Sequence, residues 1–506
     1  MKAPAPMANS AAQTASLTEH VSWLMLAKAL AFTFNLALPL LLVRRLDQTQ
    51  FGIYKQLFLI FNTAVMVLPL GFGMSAYYFL PRERDRRQEI VLNIMLYNLG
   101  MGALACIAFL IYPALLDIIF HQPGLTSYAP LVGMVMLLWV VSTALEILPI
   151  ANGEMKFASA MIVGVQLTRT AIYLAAVLAF GSVRALVYAA IVQGVLQTGV
   201  LLWYVESRFP NFWRRFDAGL LRSQLSYALP LGFAGWLYTA QTDLHSYFVS
   251  NRLGAAVYAI YAVGTVQLPL MGLLAEATNV VVIPRVSVLQ QANEAREIIL
   301  LVARAMRKLA AVYFPIYAML MVTAHEFVAF LFTKRYLASV PVFQINLTML
   351  LLGIFLYDPL FRAYADQRFF LIRLRVALCA LLAAGLWFGT TRFGLVGAIS
   401  TVVVVSVVER VVTAVRFGRI LGVRRADIVL LRDVGKLAGA ATVAGLLTAV
   451  VRSLLPGARP VVILLACGVV FSLAYLGGVL LAGVLTIEEK EIIGRKYRQI
   501  RGVAAR

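Results

Sequence analysis

Cationic and amide side chains stand inside long apolar stretches of this chain. Lys28 lies in the first stretch, and Asn35 follows on the same helical face about two turns later. Arg169 lies near the middle of another stretch, with Gln166 on its face. Burying a charge in lipid is costly, so such residues usually line a wet pathway or bind a ligand. We expect all four to line an anion-binding cavity. The structural alternatives are that Lys28 snorkels to the membrane interface and that Arg169 forms an internal ion pair.

Two carboxylates in the apolar stretches are candidates for binding a cation. Asp243 belongs to a polar stripe with Thr239 and Ser246, which predicts that its side chain points inward. Glu276 lies in the next stretch. Either carboxylate could accept a proton or coordinate a sodium ion. The structural alternatives are pairing of Asp243 with Arg252 and an interfacial position for Glu276.

These residues lie within fourteen apolar stretches. A membrane-spanning helix needs about 20 mostly apolar residues. The chain is 61% hydrophobic and 13% charged over 506 residues, and the connections are too short for a soluble domain. The sequence therefore predicts an all-α, polytopic membrane protein with transmembrane helices near residues 23–43, 51–80, 90–116, 128–150, 157–180, 185–205, 226–249, 256–283, 309–332, 340–361, 371–390, 394–415, 433–451 and 461–485.

Lysines and arginines are concentrated in alternate loops of this arrangement. Basic loops stay in the cytoplasm, which predicts that both termini are cytoplasmic. The net charge of +21 is then explained by these loops and by a basic tail that would meet anionic lipid headgroups. The basic runs 81–89 and 208–215 are ordinary cytoplasmic loops in this interpretation, so nucleic-acid binding is not expected.

The sequence offers no motif for a metal site, a cofactor or a catalytic centre. Cys106, Cys379 and Cys467 lie in separate apolar stretches, with no histidine or second cysteine at ligand spacing. A phosphate-binding GxxxxGK[ST] loop does not occur in the sequence. We therefore expect no metal, no catalytic residue and no cofactor other than a coupling ion, either H⁺ or Na⁺.

An internal repeat divides the chain. RLDQTQFGIY at Arg45–Tyr54 matches RLGAAVYAIY at Arg252–Tyr261, and each segment leads through an apolar stretch to a Pro-Arg pair, at 81–82 and 284–285. Six predicted helices separate the copies, which predicts parallel halves related by an axis along the membrane normal. The expected domains are a disordered N-terminus (1–16), two six-helix bundles (17–216 and 217–425), two additional transmembrane helices (426–486) and a basic cytoplasmic tail (487–506).

Four segments resemble polysaccharide flippases, in the superfamily that also holds multidrug and lipid II exporters. Leu42–Gln56 is similar to the outer turn of that family, and Ser226–Leu289 resembles its central region. Leu331–Leu347 and Arg392–Val404 are similar to its turn between helices nine and ten and to its twelfth helix. The resemblance extends over residues 17–425 and rests on the order and spacing of these segments.

The resemblance implies a V-shaped bundle that carries undecaprenyl-diphosphate-linked oligosaccharides across the bacterial cytoplasmic membrane, for O-antigen or exopolysaccharide assembly. It also implies a cationic central cavity, which Lys28 and Arg169 would supply, and it matches the aspartate of the family's seventh helix to Asp243. A lipid diphosphate needs cations for its phosphates, so this cargo suits the residues found. Membrane lipids, a polysaccharide polymerase and glycosyltransferases are the expected partners.

Two other functions are open. A multidrug or cation antiporter would share the fold, but its cavity would favour carboxylates, whereas the best-placed central charge is Arg169. A membrane glycosyltransferase or polymerase would need a long loop that carries carboxylates or histidines, and no loop has that length. The sequence therefore favours a transporter that works by alternating access rather than an enzyme.

Overall fold

Helices account for nearly all of the computed structural model, which describes residues 38–214 and 216–484. No strand occurs in these two ranges, so the prediction of an all-α protein is confirmed. Lys28 and Asn35 lie outside the described residues. In chain order the helices are 38–45 (α1), Gln48–Val67 (α2), Ser75–Arg82 (α3), Arg87–Ile111 (α4), Leu115–Phe120 (α5), Ala129–Ser142 (α6), Ala144–Ala151 (α7), Met155–Phe180 (α8), Val183–Arg208 (α9), Ala218–Gly264 (α10), Pro269–Gln291 (α11), Ala295–Phe332 (α12), Val340–Leu352 (α13), Asp358–Ala363 (α14), Arg368–Leu421 (α15), Arg432–Ser453 (α16) and Pro460–Leu481 (α17).

Many of these helices are long enough to cross a membrane. Ten in the described part of the chain have the necessary length and apolar character, or eleven if the bent pair Gln48–Val67 and Phe72–Arg82 is one span. The chain is therefore a multi-pass membrane protein, but the predicted count of fourteen is not confirmed. Part of the difference arises because the predicted spans 371–390 and 394–415 lie in one helical element, α15.

The α10 helix folds back on itself at Gly254. This residue has φ 77°, which side chains with a Cβ rarely adopt. His245 precedes Gly254 and Tyr261 follows it, yet the Tyr261 hydroxyl lies 2.9 Å from Nδ1 of His245. A straight helix would hold these two residues about 24 Å apart. Gly254 therefore creates a tight reversal, after which the chain runs back along α10.

A second reversal divides α15 at Gly394, where φ is 58°. The hydroxyl of Thr401 donates a hydrogen bond of 3.1 Å to the carbonyl of Gly385 in the other limb. Nearby, a Cβ added to Gly397 would lie only 2.0 Å from the carbonyl oxygen of Gly389. The two limbs therefore pack backbone to backbone, which only small residues permit.

Several spans predicted as continuous are broken in the structure. In the predicted span 51–80, α2 ends at Val67, and Leu70 and Gly71 have positive φ values of 44° and 67°. In the predicted span 256–283, α10 ends at Gly264 and α11 begins at Pro269. Proline cannot donate a backbone hydrogen bond, and a positive φ ends a right-handed helix, so hydropathy alone does not reveal these breaks.

Two compact units are formed by contacts within the chain. The first contains Met1–Pro269 and Ile372–Val402, and the second contains Leu270–Leu371 and Val403–Arg506, as far as these ranges are described. The boundaries of the two six-helix bundles expected from the repeat stay a prediction.

In the first unit, α2 packs along α10. At one end, a Cβ on Gly52 would lie 1.9 Å from the carbonyl oxygen of Ala255. At the other end, the identical pentapeptides LPLGF at 68–72 and 229–233 meet, with Gly232 against the backbone of Leu70. Backbones can approach this closely only where a glycine omits the side chain.

The start of α10 is fixed by Asp217. Its carboxylate accepts a hydrogen bond of 2.8 Å from the backbone N–H of Leu220, which caps the helix, and it also pairs with Arg86. These interactions hold the pKa of the Asp217 carboxyl below its ordinary value, the N–H of Leu220 being the main cause and the Arg86 charge a further one. The same region contains a buried hydrogen bond of 2.9 Å from the Asn93 amide to Gln224.

In the second unit, α12 packs against the two additional helices predicted near the C-terminus, α16 and α17. Their shared core contains Phe314 of α12, Leu437 and Ala441 of α16 and Val479 of α17. Near the other end of this interface, Glu326 is 6% exposed and accepts a hydrogen bond of 3.1 Å from Nε of Arg452. The additional helices are therefore part of the packed unit.

Candidate substrate and coupling sites

The Arg169 side chain on α8 lies against aromatic rings. Its guanidinium carbon is 4.9 Å from the centre of the Trp139 ring on α6 and 5.8 Å from that of Tyr173. A cation is attracted to the face of such a ring. Within the described residues Arg169 makes no salt bridge, and its buried Nε atom has no hydrogen-bond partner. Aromatic rings thus hold this positive charge without neutralising it.

These rings belong to an aromatic cluster between α2, α6 and α8. Phe58 of α2 lies at its centre, with ring distances of 4.4 Å to Tyr54, 6.1 Å to Trp139 and 5.5 Å to Tyr173. Tyr173 is fully buried. Because aromatic side chains have few rotamers, this cluster restricts the orientation of the Arg169 side chain.

Gln166 stands one turn before Arg169 on the same helix. It is 7% exposed, so its amide is buried, and it has interaction partners. The structure thus places Gln166 and Arg169 on one segment of α8, as the sequence predicted. Whether they bind cargo stays a prediction, as it does for Lys28 and Asn35, which lie outside the described residues.

Asp243 on α10 is partly exposed and contacts α2. Its Oδ2 atom accepts a hydrogen bond of 2.9 Å from the Thr63 hydroxyl. The structural alternative, a pair with Arg252, is not formed among the described residues: the Arg252 guanidinium lies 4.3 Å from the centre of the Trp387 ring. In the described part of the chain Asp243 has no cationic partner. A carboxylate in this state retains oxygen lone pairs for a proton or a metal cation.

The α2 helix connects these two positions. Tyr54 lies in the aromatic cluster beside Arg169, whereas Thr63 hydrogen-bonds to Asp243. The two contact points on α2 are separated by about 14 Å of helix. Arg169 and Asp243 therefore belong to the same unit but occupy separate places along one shared helix.

Glu276 lies in the second unit. It is half-buried on α11 and has an interaction partner. The Oδ1 atom of nearby Asn279 is buried without a hydrogen-bond partner among the described residues. No group of three metal-binding side chains lies together in the described ranges. The role of Glu276 in ion coupling stays a prediction.

The structure reveals a further buried cation, Arg375, which the sequence analysis did not single out. It is 9% exposed on α15 and donates a hydrogen bond of 2.9 Å to the Gln241 amide oxygen on α10. Its guanidinium carbon lies 4.8 Å from the centre of the Tyr238 ring. Arg375 lies near the end of a predicted span, where basic residues are usually assigned to loops. An arginine inside an apolar run was the available signal.

Comparison with solved structures identifies the fold. The chain superposes on the lipid II flippase MurJ in an inward closed conformation with a TM-score of 0.69, at 12% identity, over 91% of this chain and 98% of that chain. An outward-facing multidrug resistance MATE family transporter of the MOP superfamily matches with a TM-score of 0.58, at 15% identity, over 80% of this chain and 95% of that chain. At these identities the likeness is one of fold.

A third similar structure shares the fold at 14% identity. It is a MOP superfamily transporter from Pyrococcus furiosus, described as having a binding pocket of reverse polarity that suggests a different function. It matches with a TM-score of 0.57 over 80% of this chain and 95% of that chain. The all-α membrane fold that the sequence predicts is therefore confirmed.

Sequence comparison defines the family. No curated protein matches the chain. The family model described as "Polysaccharide biosynthesis protein" matches residues 41–341, which is more than half of the sequence. This range includes α2, α8 and α10, the helices that carry Thr63, Arg169 and Asp243. The chain belongs to this family of polysaccharide biosynthesis proteins.

Proposed function

We propose that the protein is a flippase that moves undecaprenyl-diphosphate-linked oligosaccharide units across the bacterial cytoplasmic membrane. The family supplies the link to polysaccharide biosynthesis. The fold is shared with a protein that flips lipid II and with MATE transporters. The cargo moves from the inner to the outer leaflet by alternating access, with both termini in the cytoplasm, where the basic loops lie.

The observation that carries this proposal is the charge of Arg169. Its guanidinium lies on the rings of Trp139 and Tyr173 and is not neutralised by a carboxylate in the described part of the chain. A diphosphate can therefore bind to it through a charge-assisted hydrogen bond. Lys28 is the second expected cation, and the amides of Asn35 and Gln166 are expected to contact the sugar.

Asp243 is the first candidate for ion coupling. It lies on α10 and is hydrogen-bonded to Thr63 of α2, so binding of H⁺ or Na⁺ at this carboxylate would change a contact between two helices. Glu276 on α11 is the second candidate. Coupling of this kind would drive export against a gradient of cargo.

The same fold in multidrug transporters makes a cation antiporter the second candidate function. The carboxylate of Asp243 could bind a cationic drug. The positive charge at Arg169 disfavours such a substrate and favours an anionic one. Anion transport therefore remains the better fit.

The test is deletion of the gene followed by analysis of lipid-linked intermediates. The proposal expects surface polysaccharide to be lost and undecaprenyl-diphosphate oligosaccharide to accumulate in the inner leaflet, where a membrane-impermeant reagent added from outside cannot label it. Expression of the intact chain should reverse both effects. Normal surface polysaccharide together with increased sensitivity to cationic drugs would instead support the antiporter.

A further inference from the structure

A groove lies between the end of α11 and the beginning of α12, within the second unit. Its volume is about 390 Å³, within the lower range of small-molecule pockets. Its walls include Arg285, Val288 and Leu289 of α11, and Glu297, Leu301 and Arg304 of α12. The groove thus combines two guanidinium groups and one carboxylate with an apolar surface.

The two arginines of the groove are available to a ligand. The side chains of Arg285 and Arg304 make no hydrogen bond or ion pair within the described residues, and both residues are exposed. Other arginines on the same part of α12 are occupied: Arg296 pairs with Asp427, and Arg307 donates to the carbonyl of Val484. The groove as a whole, with Arg285 and Arg304 against the single carboxylate of Glu297, therefore carries a net positive charge.

The position of the groove along its helices matches a membrane surface. α12 has 38 residues, although about 20 suffice to cross a bilayer, and its charged residues are concentrated in the first turns. Arg304 lies in this charged part, just before the apolar part of the helix. Val288 is 65% exposed although it is apolar. Cations beside exposed apolar surface are typical of the zone where headgroups meet acyl chains.

We propose that this groove binds an anionic phospholipid with a hydroxylated headgroup, of the phosphatidylglycerol type. The phosphate lies between Arg285 and Arg304, and an acyl chain follows Val288 and Leu301. Glu297 accepts a hydrogen bond from a headgroup hydroxyl. A groove of this volume suits one phosphate with the carbons on either side of it, so we assign it to a structural lipid rather than to a lipid-linked oligosaccharide.

The experiment measures lipid binding to the intact purified protein by native mass spectrometry. Phosphatidylglycerol and phosphatidylethanolamine with the same acyl chains serve as probes. The Arg285→Ala, Arg304→Ala double variant should bind phosphatidylglycerol roughly tenfold or more weakly, because it loses charge-assisted hydrogen bonds. Its weaker binding of phosphatidylethanolamine, in which an ammonium group offsets the phosphate charge, should fall by a smaller factor.

A matched control removes the same charge elsewhere. Arg84 and Arg222 are exposed and lie outside the groove, and the Arg84→Ala, Arg222→Ala variant should change phosphatidylglycerol affinity by no more than about twofold. An Arg285→Lys, Arg304→Lys variant, which keeps the charge, should give intermediate binding. Thermal unfolding in detergent checks that all three variants are folded.

Three outcomes would overturn the assignment. Unchanged binding in the groove variant would show that the two arginines do not hold the lipid. An equal loss in the control variant would assign the effect to overall charge. Stronger competition by undecaprenyl diphosphate than by phosphatidylglycerol, abolished only in the groove variant, would assign the groove to cargo. Because the readout is lipid occupancy, these outcomes are independent of whether the protein exports polysaccharide.

Discussion

The carbonyl oxygen of Leu70 lies so close to Gly232 that a Cβ built on this glycine would be only 1.7 Å from it. The contact joins the end of α2 to α10 through backbone atoms alone. No side-chain rotation can relieve a clash of this kind, so the helices must separate if a larger residue is introduced.

We therefore predict that Gly232→Ala lowers the free energy of unfolding by about 1–3 kcal/mol, as overpacking usually does. A Cβ added to Gly235 on the same helix would meet no atom within 4 Å, so Gly235→Ala should be neutral or stabilise the helix by about 0.5–1 kcal/mol. Thermal unfolding of the purified variants in detergent measures both effects. Equal melting temperatures for the two variants would contradict the close contact.

Replacement of Arg169 should impair export more than folding. Arg169→Ala removes a charge-assisted contact to the diphosphate worth about 1.5–3 kcal/mol, which corresponds to a loss of roughly tenfold or more. Arg169→Lys keeps the charge but loses the planar guanidinium, so its export should be intermediate. Surface polysaccharide, normalised to the amount of protein in the membrane, is the measurement.

Arg184 provides the control for Arg169, since it is an exposed arginine at the beginning of α9. Arg184→Ala should export normally. The Arg169→Ala, Lys28→Ala double variant should export least of all. Normal export by that double variant at normal protein levels would refute the cationic cavity.

Asp243→Asn should change the dependence of transport on an ion gradient. The amide cannot take up a proton at neutral pH and is a poorer ligand for a cation than a carboxylate. Thr63→Val keeps the carboxylate but removes its hydrogen bond, so coupling should persist with altered ion affinity. Transport into vesicles under imposed pH or sodium gradients distinguishes these cases.

Two comparisons make the coupling test specific. Asp358→Asn removes a surface carboxylate that pairs with Arg362 and should leave the gradient dependence intact. Glu276→Gln tests the second candidate. If Asp243→Asn transports with unchanged gradient dependence and Glu276→Gln does not, the coupling site lies on α11.

The ion pair between Glu326 and Arg452 should stabilise the attachment of α16 to α12. Arg452→Ala removes the half-exposed cation from the buried Glu326 carboxylate, and leaving a buried acceptor without its partner costs about 1–3 kcal/mol. The Glu326→Gln, Arg452→Met double variant leaves no unpaired charge and should be more stable than Arg452→Ala. The exposed pair of Asp358 and Arg362 is the control, since removal of such a pair costs about 0–1 kcal/mol. Equal decreases in melting temperature on removal of the two pairs would contradict the burial of Glu326.

The capping carboxylate of Asp217 should make stability depend on pH. Its pKa is lowered in the folded protein, so the stabilisation is fully present above the ordinary carboxyl pKa and is lost as the pH falls through the lower, folded value. Asp217→Asn retains a capping oxygen but does not titrate, so its melting temperature should fall less steeply in acid. Asp85→Asn, which removes an exposed carboxylate from the loop that contains Arg86 and leaves the helix cap intact, is the control for the change in net charge. If the melting temperatures of Asp217→Asn and the intact chain fell equally steeply in acid, Asp217 would not contribute to the pH dependence of stability.

The all-α membrane fold could be predicted because hydropathy reports which segments enter lipid. The breaks at Leu70 and after Gly264 were not predicted, since a window of apolar residues does not record backbone angles, whereas the reversal at Gly254 lies between the predicted spans 226–249 and 256–283. Proline and glycine beside these positions were the local signals. Average hydropathy conceals them because both residues occur in regular transmembrane helices as well.

The charged residues of the candidate site could be predicted from the sequence, but the residues that contact them could not. Arg169 and Asp243 stand out because charge is rare in apolar sequence. Their surroundings come from distant segments: Trp139 beside Arg169, and Thr63 beside Asp243. The structural alternative for Asp243, a pair with Arg252, is not formed because Arg252 instead stacks on the Trp387 ring far along the chain. Spacing along one helix cannot reveal such contacts.

The reversal at Gly394 also bears on how the chain is made. The limbs of α15 are joined without an intervening loop, and they contact each other through Gly389 and Gly397. During synthesis, the second limb of α15 can therefore pack against the first as soon as it leaves the ribosome. The two limbs can then enter the bilayer together as a packed pair. Arg392 is the only charged residue beside the turn, so little polar material has to cross the lipid. The orientation of this pair in the membrane is then determined by the charges at its open ends, Arg368 and Arg419, rather than by its tip.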